Sequence, residues 1–123
     1  MITRYAIAAR DLIDRHTTSQ TTTNVFQTIR NCESKLEWCG GAGKGRLVPL
    51  TLIPLWDPVA AAAEVRRCAA KGSYAIAFSE NPSKLGFSSL YTGDWDVLWD
   101  ACQETDTTVS MHIGSSSTMP STS

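Results

Sequence analysis

The sequence lacks the marks of a membrane protein or a nucleic-acid-binding protein. It has no apolar run of about 18 residues, so no membrane-spanning helix is expected. The chain has 11 Lys and Arg residues and 12 Asp and Glu residues, and its formal net charge is -1. The sequence therefore gives no sign of the clustered basic face that a nucleic-acid or membrane-surface partner would need. The N-terminus also lacks the apolar core of a secretory signal, so we expect a cytoplasmic location.

Common cysteine motifs are absent as well. None of the four cysteines, at positions 32, 39, 68 and 102, forms a Cys-x-x-Cys pair. The usual zinc-finger and thioredoxin spacings are thereby excluded. Cys68 and Cys102 fall on the apolar faces of predicted helices. We interpret them as buried free thiols in a reducing cytoplasm.

The glycine-rich segment 40–45 does not form a phosphate-binding loop. Such a loop needs Ser or Thr directly after its lysine, and Gly45 follows Lys44 here. The segment also follows a predicted helix and precedes a predicted strand, which is the reverse of the dinucleotide-binding order. It is interpreted as a flexible connection.

Strand and helix patterns alternate between residues 46 and 113. The nearly continuous apolar run 47–53 is typical of a strand buried in a parallel sheet, and its regular part should begin at or just after Pro49. A helix follows, with Asp57 as its N-cap. Gly72 suits the left-handed turn beyond its end.

The same pattern then repeats. A second short strand is predicted over 74–78, and Asp94 is the expected cap of the next helix. One apolar stripe on that helix comprises Trp95, Leu98, Trp99 and Cys102. A third strand is predicted over 107–113. This β-α-β-α-β order predicts an α/β architecture with parallel strands.

The flanking segments carry weaker patterns. Residues 1–30 could be helical, and a helix containing Cys32 and Leu36 should end near Gly40. The Ser/Thr-rich tail after Gly114 is expected to be a loop or a frayed end.

Polar residues follow the second and third predicted strands at the same end of the sheet. His112 lies near the carboxyl end of the third strand, where parallel sheets gather ligands, and it could coordinate a metal. It could equally be a hydrogen-bonded structural histidine. Glu80 and Asn81 directly follow the second strand, where the Glu80 carboxylate could bind substrate or merely cap a local turn.

Several segments, in this order and spacing, resemble the amidohydrolase-related family, in the branch that includes aminocarboxymuconate-semialdehyde decarboxylases. The segments are 46–50, 54–58, 62–67, 78–82, 93–96 and 111–117. Together they span the chain from about residue 36 to its C-terminus.

The resemblance implies a metal-dependent hydrolase or decarboxylase with a (β/α)₈ TIM-barrel fold, of which these strands would be the third, fourth and fifth. His112 then corresponds to a metal ligand, with zinc as the metal of the intact parent. Glu80, Asn81 and Ser115 would lie at the substrate pocket. Residues 31–123 would be an incomplete barrel domain, and residues 1–30 look unlike the family.

The sequence departs from the family in its metal ligands. It has no His-x-His pair, and its only other histidine is His16. Catalytic zinc normally needs three protein ligands. We therefore expect a fragment that is inactive alone and does not bind zinc stably. Open sheet edges should favour self-association, and the intact parent would act on a small-molecule substrate. The alternative is a non-catalytic α/β binding or assembly module, in which residues 1–45 pack over the sheet.

Overall fold

Helices and strands alternate along the part of the chain that the structure describes. This computed structural model describes residue 30, residues 32–113 and residue 115. Residues 30 and 32–40 are helical and are called α1. The other elements, in chain order, are β1 (Thr51–Leu52), α2 (Pro58–Ala69), β2 (Ala75–Ser79), α3 (Asp96–Glu104) and β3 (Thr108–His112). The expected helix within residues 1–30 falls almost wholly outside the described residues, as do His16 and the tail after residue 115.

The three strands form one small open parallel sheet in the order β1-β2-β3. The expectation of an α/β architecture with parallel strands is confirmed. Strand β1 pairs only through Thr51 and Leu52, because Pro49 cannot donate to a ladder. The first part of the predicted apolar run lies outside the sheet, and Val48 is 73% exposed. Strands β1 and β3 are the two edges of this described sheet.

Helix α2 begins and ends as its sequence predicts. The Asp57 carboxylate accepts hydrogen bonds from the backbone N–H groups of Val59 and Ala60, each at 3.0 Å. Its buried face includes Ala61, Val65, Cys68 and Ala69. Gly72 has a φ of 93°, in the left-handed region that favours glycine.

Helix α3 begins one residue later than predicted, at Asp96. Gly93–Trp95 forms a 3₁₀ turn, and Trp95 stands at the cap position without a side-chain capping bond. The buried Trp95 indole donates to the Ser88 carbonyl at 3.1 Å, which fixes the approach to the helix. Asp94 accepts from the Thr92 hydroxyl at 3.2 Å instead of capping, so its predicted capping role is wrong.

Both α2 and α3 cover one face of the sheet. Side chains alternate across a strand, and Ile76 and Phe78 of β2 join the core formed with the two helices. Phe78 packs edge-on against Trp95, with ring centroids 5.0 Å apart. The predicted stripe on α3 contributes Leu98 and Cys102 to the same core. Helices α2 and α3 also contact each other, which is consistent with both crossovers lying on one side.

The opposite face of the sheet carries smaller and more exposed residues. By strand alternation and register, Leu52, Ala77 and Ser110 form one row on this face, and Ser79 and His112 form the next. Leu52 is 40% exposed, and His112 is exposed as well. We call this the open face.

The glycine-rich segment 41–46 forms successive turns between α1 and the start of β1, which confirms its role as a connection. No helix among the described residues is long and apolar enough to cross a bilayer.

Candidate functional sites at the two ends of the sheet

The carboxyl end of the sheet brings together the predicted site residues. Ser79 and His112 are register partners at the ends of β2 and β3. The Ser115 hydroxyl lies 3.1 Å from the Ser79 hydroxyl and 2.5 Å from Glu80 Oε2, and it can donate to either. The structure thus joins residues 36 positions apart, and we call Ser79, Glu80, His112 and Ser115 the carboxyl-edge cluster.

A tight turn after β3 positions Ser115. Its backbone N–H donates to the His112 carbonyl at 3.3 Å, so the chain bends back over the end of the sheet. This bend returns the Ser115 side chain to β2. The His112 imidazole is on the open face and exposed, away from the apolar core.

Asn81 lies beside this cluster and binds it through its backbone. Its backbone N–H donates to the Ser79 hydroxyl at 3.2 Å. Asn81 precedes the 3₁₀ turn Pro82–Leu85 and makes no side-chain capping bond to that turn.

The carboxyl-edge cluster does not by itself complete a metal centre. It offers the His112 imidazole and the Glu80 carboxylate, and Ser115 already binds that carboxylate. Catalytic zinc normally takes three protein ligands. Within the described residues, His112 belongs to no group of three potential ligands. We therefore derive no catalytic step through a metal here.

A second polar cluster lies at the opposite, amino end of the sheet. Cys32 of α1 and Cys68 of α2 are joined as a disulfide, with their Cα atoms 7.0 Å apart. Both side chains are buried, at 1% exposure. Cys68 stands near the end of α2, which runs back toward the amino ends of the parallel strands. The expectation that Cys68 is a free thiol is wrong in this structure, because the folding of α1 onto α2 brings Cys32 to it.

Glu64 and Arg67 flank this disulfide. The Arg67 guanidinium donates to both Glu64 oxygens, at 2.7 and 2.8 Å. Glu64 Oε1 lies 3.3 Å from Cys68 Sγ, and Arg67 Nη2 lies 3.5 Å from it. The two carboxylates of Glu64 and Glu33 raise the pKa of Arg67, with the Glu64 hydrogen bonds as the largest cause.

Helix α1 reaches the same charges through Glu33. Its carboxylate binds Arg67 Nη1 at 2.5 Å and also pairs with Lys71. The hydrogen bond from Lys71 is the largest cause that lowers the pKa of Glu33. Glu33, Glu64, Arg67 and Lys71 carry two negative and two positive charges, so this group is balanced.

Hydroxyl groups complete the cluster on the side of the sheet. Thr51 Oγ1 lies 2.9 Å from Ser73 Oγ and 4.0 Å from Cys32 Sγ. The Ser73 hydroxyl donates to the Pro49 carbonyl at 3.0 Å. The two clusters therefore lie at opposite ends of the same short sheet. We call Cys32, Glu64, Arg67 and Cys68, with these hydroxyls, the amino-edge cluster.

Sequence reasoning missed the amino-edge cluster. A local signal existed in the i, i+3, i+4 spacing of Glu64, Arg67 and Cys68, which places them on one side of a helix. The partner Cys32 is 36 residues from Cys68, and no local pattern links them. Cys102, by contrast, is a buried free thiol as predicted, and burial raises its pKa.

The comparisons with known proteins assign no family. No protein-family profile matches the chain. No characterised protein matches it significantly either.

Proposed function

We propose that the carboxyl-edge cluster is part of the pocket of a metal-dependent hydrolase or decarboxylase related to the amidohydrolases. In this proposal His112 is one metal ligand, zinc is the metal, and Glu80, Asn81 and Ser115 lie at the small-molecule substrate. The convergence of Ser79, Glu80, His112 and Ser115 at one sheet end carries the proposal. Active sites of parallel α/β folds lie at this end.

The arrangement of helices supports a barrel origin for the sheet. Three parallel strands in sequential order, with α2 and α3 on one face, are the repeating arrangement of a (β/α)₈ barrel. A doubly wound sheet places helices on both faces instead. The open face would then be the barrel interior, and His112 lies on it at the carboxyl end.

The proposal requires metal ligands from outside this polypeptide, because the sequence holds two histidines and no His-x-His pair. The direct test is to read the genomic DNA on both sides in all frames. We expect an upstream His-x-His motif and a downstream Asp at the end of a predicted strand. Flanking DNA that encodes neither would contradict the proposal.

An activity assay tests the inactivity of the chain itself. We expect no turnover of amide, ester or carboxylated substrates by the purified chain with one equivalent of zinc, because one imidazole does not acidify a bound water enough. The proposed inactivity would be refuted by turnover that exceeds the control with zinc alone and that is lost without Zn²⁺ and in His112→Ala.

Self-association through the open sheet is a further consequence. Replacing Leu52 on the open face by Lys should reduce the dimer fraction in sedimentation-velocity runs, because it places a charge there. Val59→Lys is the matched control, since Val59 is 60% exposed on α2, away from the open face. Equal effects of the two variants, or a strictly monomeric parent chain, would contradict this consequence.

A second candidate function is a non-catalytic binding or assembly module. One observation favours it: α1 packs on the α/β unit through Cys32, Glu33 and Lys35, and Lys35 donates to the Leu50 carbonyl at 3.0 Å. The expectation that residues 1–45 pack over the sheet stays a prediction, because most of them lie outside the described residues. Flanking DNA without the expected ligands, together with a stable monomer, would favour this candidate.

A further inference from the structure

The amino-edge cluster joins α1 to the rest of the chain through few contacts. The main apolar core draws its buried members from other parts of the chain and includes none from α1. Among the described residues, the covalent and polar contacts that hold α1 are the Cys32–Cys68 bond, the ion pairs of Glu33, the bond from Lys35 to the Leu50 carbonyl and the contact of Cys32 with Thr51. The ion pairs of Glu33 are partly exposed. The covalent bond is therefore the strongest single attachment.

We propose that Cys32 and Cys68 form a thiol–disulfide exchange site at which a small disulfide of the glutathione class controls the docking of α1. The bonded form holds α1 on α2, and the dithiol form releases it. This proposal is independent of the proposed function, because it concerns the opposite end of the sheet.

The chemistry balances with glutathione disulfide as the oxidant. Cys68 as a thiolate attacks one sulfur of glutathione disulfide, which releases one glutathione and leaves a mixed disulfide on Cys68. Cys32 then attacks Cys68 Sγ and releases the second glutathione. The protein loses two electrons and two protons, and the oxidant becomes two thiols.

Glu64 and Arg67 are placed to assist this exchange. In the dithiol form the Cys68 thiol can donate to Glu64 Oε1, 3.3 Å away, which orients it on α2. Arg67 holds Glu64 through two hydrogen bonds and places positive charge 3.5 Å from Cys68 Sγ, which favours a thiolate. Glu64 is thus a positioning residue for Arg67 and the Cys68 thiol.

The same contacts argue against a metal at this cluster. Cys32, Glu64 and Cys68 have ligand atoms within 4.8 Å of one another. Both Glu64 oxygens, however, already accept from Arg67, and the charges of Glu33, Glu64, Arg67 and Lys71 balance without an ion. A metal ion would have to compete with Arg67 for Glu64, whereas the disulfide leaves the Glu64–Arg67 hydrogen bonds intact.

Burial sets the order of events. At 1% exposure, neither Cys32 nor Cys68 can meet a glutathione molecule while α1 is docked. Exchange therefore proceeds through states in which α1 has opened.

Hydrogen exchange of the full chain in glutathione buffers tests the proposal. On reduction, amides of residues 32–40 should lose most of their protection and exchange at least about tenfold faster, while those of α2 and α3 stay protected because these helices pack in the apolar core. Alkylation and mass measurement should find four free thiols in the reduced chain and two, at Cys39 and Cys102, in the oxidised chain. Equal exchange of α1 in both states would overturn the proposal.

Variants sharpen the result. Cys32→Ala should show fast α1 exchange in both buffers, whereas Cys39→Ala, which removes an unpaired thiol from the same helix, should behave as the parent chain. Arg67→Gln should slow oxidation by glutathione disulfide near neutral pH, because it removes the positive charge 3.5 Å from Cys68 Sγ, and an unchanged rate would overturn the role of Arg67. If Cys32→Ala does not fold, the exchange rates of α1 in the oxidised and reduced parent chain still test the proposal.

Zinc is the remaining control. Native mass spectrometry of the reduced chain with zinc should show no tightly held ion that depends on Cys32. One zinc per chain that is lost in Cys32→Ala would overturn the exchange site in favour of a metal site.

Discussion

Removal of the Cys32–Cys68 bond should lower the free energy of unfolding by about 4 kcal/mol, because the bond restricts the unfolded chain. Its partners are 36 residues apart. The loop-closure relation for a loop of this size gives an entropy change of about 13 cal/mol/K, or about 4 kcal/mol at 25 °C. Loss of the buried sulfur in Cys32→Ala adds about 1 kcal/mol.

The assay is urea denaturation of the parent chain and Cys32→Ala, each with and without a phosphine reductant. The variant should be less stable by about 5 kcal/mol under oxidising conditions and by only about 1 kcal/mol after reduction. Cys102→Ala is the control, since it removes a buried but unpaired thiol. Its cost should be the same in both conditions. A parent chain whose stability does not respond to the reductant would refute the reasoning.

Three further predictions concern the fold. Leu98→Ala should lower the free energy of unfolding by about 2–5 kcal/mol in urea denaturation, because Leu98 is 0% exposed. Leu85→Ala on the surface should lower it by under about 1 kcal/mol. Equal losses would place Leu98 outside the core. By the same method, Asp57→Ala should lower the free energy of unfolding by about 1 kcal/mol, because two capping hydrogen bonds are lost. Asp94→Ala removes no cap and should lower it by about half as much or less. The lowered pKa of Glu33 contributes stability that is present above its ordinary pKa, near 4.3, and lost as pH falls through the lower folded value. Glu33→Gln should therefore weaken the acid dependence of α1 hydrogen exchange below about pH 4.3, and an unchanged dependence would exclude this ion pair as its cause.

Local sequence signals predicted most of the elements. Asp57 and Gly72 mark the two ends of α2 because capping and left-handed turns depend on adjacent residues. The alternation of strand and helix patterns along the chain predicted the parallel sheet. The start of α3 was missed because the packing of Trp95 against Phe78 and its bond to Ser88 outweigh the capping preference of Asp94.

The two clusters differ in how far sequence could reach them. The ends of consecutive parallel strands meet at one sheet edge, so the strand pattern alone placed Glu80 and His112 together. Ser115 came from the family resemblance, and its contact with Glu80 depends on the bend after β3. The pairing of Cys32 with Cys68 depends on how α1 packs on α2, and no strand or helix period encodes that packing.

The most direct test of the proposed function follows the histidine side chains by ¹⁵N NMR during zinc addition. The disulfide-bonded chain should carry Cys39→Ser, so that its partly exposed thiol does not compete for zinc. The account predicts that the His112 ring nitrogens respond together with the amides of Ser79, Glu80 and Ser115. It also predicts that His112→Ala abolishes these changes and that His16→Ala does not. An unresponsive His112 ring, with these amides unmoved at excess zinc, would contradict the claim that the carboxyl-edge cluster is part of a metal site.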